Sequence, residues 1–128
     1  MHHDARTDVL NALRWITENH RTANASLLSM SHDLAAPRRY LGQLLIRNTG
    51  LSFRKQLMKA RMEHSAKLLT DTNAGLKEVA WACGYAYVAN FVRDFRAYYS
   101  ATPASFRQGW RREESRYRDD KTGSVAAK

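Results

Sequence analysis

The sequence predicts an all-α fold of about seven helices, and three observations predict it. Only two prolines and six glycines interrupt the 128 residues. Nearly every stretch between them repeats its apolar residues every three or four positions, the period of one helix face. No stretch combines period-two alternation with a hairpin turn. The hardest case is CGYAYVANFVRDF, Cys83 to Phe95, whose aromatic and β-branched residues favour a pleated surface. At about 100° per residue, however, Val88, Phe91 and Phe95 share one face and Ala89, Arg93 and Arg96 the other, whereas a strand would scatter them.

The elements follow in order. A first helix runs from about Asp8 to Asn19, with Val9, Leu10, Leu13 and Ile16 as its apolar stripe and Trp15 alongside. HRTANAS ends it, and Ser26 is placed to cap a second helix, Leu27 to Leu34. AAP then breaks the chain, because the residue before Pro37 is pushed out of helical conformation while proline suits a first turn. The third helix, Pro37 to Asn48, carries Leu41, Leu44 and Leu45 and stops at Gly50, a left-handed C-cap. A long fourth helix, about Ser52 to Thr70, shows Phe53, Leu57, Ala60 or Arg61, Leu68 and Leu69 along one side. DTNAG closes it. The fifth helix, Leu76 to Cys83, turns at Gly84 into the sixth, Val88 to Tyr99, and Thr102 and Pro103 open a seventh, to about Arg112. The remaining tail is charged and short of apolar residues, and disorder is expected there.

Charge narrows the class of partner. Lys and Arg number 21 against 12 Asp and Glu, a formal net charge of +9, and 15 of the cations are arginine. Arginine forks onto phosphates and guanine edges, so a polyanion is the expected partner rather than a merely solvated basic surface. With 44% apolar residues the chain can build a core. No apolar run approaches the roughly 18 residues of a membrane span, and MHHDARTDVL has no signal-peptide pattern, so no membrane association and a cytoplasmic location are expected. The single cysteine, Cys83, excludes an internal disulfide framework and reads as a small buried residue beside Gly84 rather than a reactive thiol. His20, His32 and His64 lack metal-ligand spacing, and His2 and His3 read as a flexible terminus. No catalytic constellation, metal site or cofactor is read, and no enzyme is expected.

An internal echo recurs at a spacing of 50: Leu41 with Phe91, Leu45 with Phe95, Gly50 with Ser100, and shortly afterwards SFR at Ser52 to Arg54 and again at Ser105 to Arg107. Two similar units follow, each a short helix, a tight turn and a second helix with a basic outer face. This is the helix-turn-helix pattern, in which the second helix enters the major groove. The subdomains are placed at 8–50 and 72–112, joined by a linker helix over 51–71, with 113–128 as the tail. Opposite Leu41 and Leu45 stand Arg39, Gln43 and Ile46, flanked by Arg38 and Arg47. Opposite Phe91 and Phe95 stand Ala89, Arg93 and Arg96, with Asn90 beside them. Arg can bond two guanine acceptors at once, Gln or Asn can pair with adenine, and a small apolar side chain can pack on the thymine methyl group. Singly, such residues are ordinary solvated positions of amphipathic helices; two equivalent faces in one basic chain point to groove contact. Ile46 is the apolar exception, placed either between helices or against a sugar.

LKEVAWACGYAYVANFVRDFRAYYSATPASFR resembles the signature of the AraC/XylS family of bacterial transcriptional regulators, DNA-binding domain only, of the small MarA/SoxS/Rob type. The match falls at Val79, Ala80, Gly84, Tyr85, Phe91, Arg93, Phe95, Arg96, Thr102, Pro103, Phe106 and Arg107. The first unit and linker fit through Leu27, Leu41, Gly50, Phe53, Arg61, Met62, Leu68 and Leu69, so the resemblance covers about residues 8–112. It implies two helix-turn-helix units on one linker helix, binding double-stranded promoter DNA as a monomer. Base contacts carry over to Arg39 and Gln43 in the first recognition helix and to Val88, Ala89, Asn90 and Arg93 in the second. Arg38, Arg47, Arg96 and Arg107 are expected on the phosphate backbone. Ser100 stands where the family usually has glycine, and Ser65 and Ser31 where it has alanine. Arg39 replaces an aromatic residue and Gln43 a common arginine, which implies a different base preference.

The resemblance further implies activation through contact with RNA polymerase, and action at the nucleoid. No small-molecule effector domain is read from the sequence, which favours control by abundance. The rival reading is a non-specific architectural DNA-binding protein, for which the charge alone would suffice.

Overall fold

The computed structural model describes residues 4–126, with side chains over 4–120. His2 and His3 lie outside the described residues. Within them are seven α-helices and no strand: α1 (Ala5–Asn19), α2 (Leu27–Leu34), α3 (Arg38–Thr49), α4 (Phe53–Asp71), α5 (Leu76–Ala82), α6 (Val88–Tyr99) and α7 (Pro103–Ala126).

Local chemistry sets most of the boundaries. Asp4 accepts from the Arg6 amide, so α1 begins a turn before the apolar stripe does. Ser26 forms a reciprocal capping box with Ser29, and Ser52 accepts from the Lys55 amide. Thr102 Oγ1 accepts from the Ser105 amide in the same way at the start of α7. Gly50 (φ 77°) and Ser100 (φ 58°) hold the matching left-handed C-caps of α3 and α6. Because Ser100 bears a Cβ in that region, Ser100→Gly should stabilise the protein by about 0.5–1 kcal/mol, read as a raised denaturant midpoint.

Two apolar cores form, one per unit. The first gathers Ala12, Trp15, Ile16, Met30, Leu41, Leu45, Phe53 and Leu57; the second gathers Met62, Leu69, Val79, Ala80, Cys83, Tyr85, Phe91 and Phe95. Helix α4 supplies both, and at about 100° per residue Met62, Ser65 and Leu69 fall on a different face from Phe53 and Leu57. A single stripe was therefore the wrong pattern for it. In α6 the strand-favouring residues fill the second core: the Phe95 ring lies 5.7 Å from Phe91, 4.7 Å from Tyr99 and 5.4 Å from Phe106. Cys83 is buried there, and burial lifts its thiol to about 12.

Two expectations need correction here, those for Leu10 and for the tail. Leu10 faces solvent, since Ala12, Trp15 and Ile16 form the buried side of α1. The Trp15 indole enters the core because its N–H finds Asp33 Oδ2 at 2.8 Å. The repeated SFR is not an equivalence, because at spacing 50 the capping Ser52 corresponds to Thr102, while Ser105 lies inside α7. The tail expected to be disordered is helical through Ala126, with Glu113–Arg116 (3.4 Å) and Glu114–Arg118 (2.9 Å) pairs supporting it at helical spacing.

The two units meet where α1 ends. Arg61 of α4 donates through Nε to the His20 carbonyl (3.0 Å) and through Nη2 to that of Thr22 (2.9 Å), satisfying the C-terminus of α1. Gly84, in the turn before α6, packs on the same carbonyl. His20 is buried, with Nδ1 2.7 Å from the Thr17 carbonyl and Nε2 2.9 Å from His64 Nδ1. A carbonyl only accepts, so His20 donates from Nδ1, and Nε2 accepts the proton of His64. Burial, then the charges of His20, Arg21 and Lys67, hold His64 below the usual histidine value. The unfolded chain therefore binds more protons than the folded one near and below pH 6.5, and stability falls as pH drops through that range. Thermal melts at pH 7.5 and 5.5 should show a lower Tm in acid, and His64→Gln should flatten that dependence.

Candidate nucleic-acid interface

Both second helices turn a solvated face away from their cores. On α3, Arg38, Arg39, Gln43 and Arg47 are exposed, and Ile46 keeps 53% of its surface in solvent. Ile46 does not pack between helices. Arg39, Gln43 and Ile46 line one groove with Leu27, Phe53 and Arg54, which brings Arg54, at the start of α4, beside the face. Gly42 allows α3 to lie close to α2, since a Cβ there would stand 3.3 Å from Leu27 Cδ2.

On α6, Ala89, Asn90, Arg93 and Arg96 are exposed, and Ala89, Arg93, Arg96 and Ala97 line one shallow hollow. Val88 is half-buried against the second core, so only part of its side chain reaches this face. The Arg93 Nε lies 3.3 Å from Asp94 Oδ1. Arg38, Arg39, Gln43, Arg47, Asn90 and Arg96 make no side-chain hydrogen bond or ion pair to another described residue. Their donors are available to a partner.

Arg107 occupies a different place from the phosphate contact expected of it. Half-buried, it donates through Nε to the Leu69 carbonyl (3.0 Å) and through Nη2 to those of Ala74 (2.7 Å) and Thr72 (3.4 Å). It satisfies the end of α4 as Arg61 satisfies the end of α1. One guanidinium from α4 thus closes α1, and one from α7 closes α4.

Two features of the second face were not read from the sequence. Tyr87 occupies the N-cap of α6, where Ser, Thr, Asn or Asp is usual, makes no capping bond and is 70% exposed. Asp94 accepts from the Tyr85 hydroxyl through Oδ2 at 2.9 Å while its other oxygen faces Arg93. Burial, then the bond to Asp94, raise the Tyr85 phenol well above its usual value, so it remains a donor.

No helix among the described residues is long and apolar enough to cross a membrane. Residues 30–109 match the family model of a helix-turn-helix domain. The HTH-type transcriptional regulator GadX of Escherichia coli O6:H1 is 33% identical over 63 residues, 49% of this chain and 23% of that protein. The virulence regulon transcriptional activator VirF of Shigella flexneri is 36% identical over 56 residues, 44% of this chain and 21% of that protein. The chain spans under a quarter of the length of either. Among solved structures, the C-terminal domain of AraT, a response regulator from Geobacillus stearothermophilus, superposes with a TM-score of 0.78 at 27% identity, covering 80% of this chain and 84% of that one. With two helix-turn-helix units, two open basic faces and a family match that takes in both α3 and α6, the chain belongs to the AraC-type helix-turn-helix family of DNA-binding transcriptional regulators.

Proposed function

We propose that this chain binds a specific, asymmetric DNA site as a monomer, laying α3 and α6 into successive major grooves, and that it activates transcription through contact with RNA polymerase. The observation that carries the reading is the pair of open faces: equivalent by spacing, unlike in sequence, and built on cores that share α4. Unlike faces need no palindrome. Grooves one helical turn apart lie about 34 Å from each other, and meeting both at once bends the duplex at a cost of a few kcal/mol. Arg39, Gln43, Asn90 and Arg93 supply base-edge contacts, Ala89 lets the helix approach closely, and Arg38, Arg47 and Arg96 supply phosphate contacts. Activation is favoured by the likeness to VirF, which is named an activator.

Selection of bound duplexes from a random pool tests this reading. The expected consensus has two unlike blocks one turn apart, with Arg39→Ala weakening one and Arg93→Ala the other, each by about 1–3 kcal/mol. With 6–10 phosphate contacts, affinity should fall about 10³–10⁵-fold between 50 and 200 mM salt. Arg47→Ala should weaken all sequences alike and reduce the salt slope by about one. Recovery of no consensus would leave a non-specific architectural binder.

A further inference from the structure

We propose that Asp94 is a positioning residue that, fixed by Tyr85, presents Arg93 end-on to a guanine and so sets the base preference of the second recognition helix. The inference rests on the reading that α6 enters a major groove.

The Arg93 side chain is 71% exposed, and its hydrogen bond runs through Nε to Asp94 Oδ1 at 3.3 Å. A bond at Nε leaves both terminal nitrogens of the guanidinium free, and those two match the paired O6 and N7 acceptors of guanine. An unrestrained arginine would also reach the phosphates flanking the groove, which carry no sequence information. A carboxylate beside its Nε restrains the side chain and repels the phosphates.

Such a restraint works only if the carboxylate is itself held. Asp94 is 21% exposed, and its second oxygen accepts from Tyr85 at 2.9 Å. Tyr85 is 8% exposed, and its ring stacks on Phe91 at 5.4 Å with the Arg61 guanidinium 5.5 Å from its centre. Arg61 in turn is tied to the carbonyls of His20 and Thr22. The support behind Arg93 therefore reaches back to the end of α1. The first unit has no counterpart, because the residue at spacing 50 from Asp94 is the buried Leu44. Base preference should be sharper in the block read by α6 than in the block read by α3.

The test uses the duplex recovered by selection and its three variants at the base pair whose preference Arg93→Ala abolishes. Asp94→Asn and Tyr85→Phe are each expected to lower the preference for G·C at that pair about 3–10-fold, part of the roughly 5- to 150-fold that a bidentate arginine contact supplies. Binding of Asp94→Asn to a random duplex should be unchanged or tighter, because a negative charge facing DNA is gone. Tyr85→Phe keeps the ring packing, so the test stands even if Asp94→Asn folds poorly. Equal loss of affinity on all four base pairs, or an unaltered preference at the tested pair, would overturn the positioning role. If Arg93→Ala alters preference at no pair, the base-reading role of α6 fails, and this inference with it.

Discussion

Gly84→Ala should destabilise the protein by roughly 3 kcal/mol or more and abolish simultaneous binding of both DNA blocks. Gly84 sits at φ 89°, where a side chain is strained, and an added Cβ would stand 2.4 Å from the His20 carbonyl oxygen and 2.9 Å from Arg61 Nε. Both partners are fixed, the carbonyl by its place at the C-cap of α1 and the guanidinium by its two bonds to the His20 and Thr22 carbonyls. The turn that leads into α6 must therefore move away from the first unit. Gly50→Ala is the control: its φ is 77°, but nothing lies within 4 Å of the added Cβ, so only the backbone cost of about 1 kcal/mol remains. Denaturant melts of the two variants, with binding to a two-block duplex and to each block alone, separate strain from collision. Equal losses for both would mean that the junction tolerates the added methyl.

Phe95→Ala should cost about 3–5 kcal/mol and lower Tm by about 10–25 °C. The side chain is fully buried, and Phe91, Tyr99 and Phe106 all place rings within 6 Å of it. None of them reaches far enough to fill the vacated space without breaking its own contacts. Against a usual total stability of 5–15 kcal/mol, a loss of this size takes a large share. Because the first core contains none of these rings, the second unit should loosen first. Amide exchange should show α6 and α7 losing protection ahead of α1 and α3. Uniform loss across all helices would show that the two cores unfold as one.

How much of this was legible depends on the range of the interaction concerned. The helical nature of α6, the caps at Ser26 and Gly50, and the burial of Leu41, Leu45, Phe91 and Phe95 all follow from neighbours within a few positions, and the structure has each of them as expected. The exposure of Arg39, Gln43, Ala89 and Arg93 follows from the same periodicity. Arg107 was misread because its role is set by carbonyls more than 30 residues away, and a long basic side chain fits a phosphate or a helix end equally well. The His20–His64 pair, 44 residues apart, has no spacing that announces it.

By itself, then, the sequence determined an all-α chain with two helix-turn-helix units and a basic character suited to DNA, because helix period, capping and charge are local properties of the chain. Only the tertiary structure decided which arginines remain open to a partner and which close helix ends, how Gly84 locks one unit against the other, and that Asp94 stands between Tyr85 and Arg93. Those outcomes depend on which carbonyls and carboxylates arrive within about 3 Å of a donor. Only the packing of the seven helices fixes that distance.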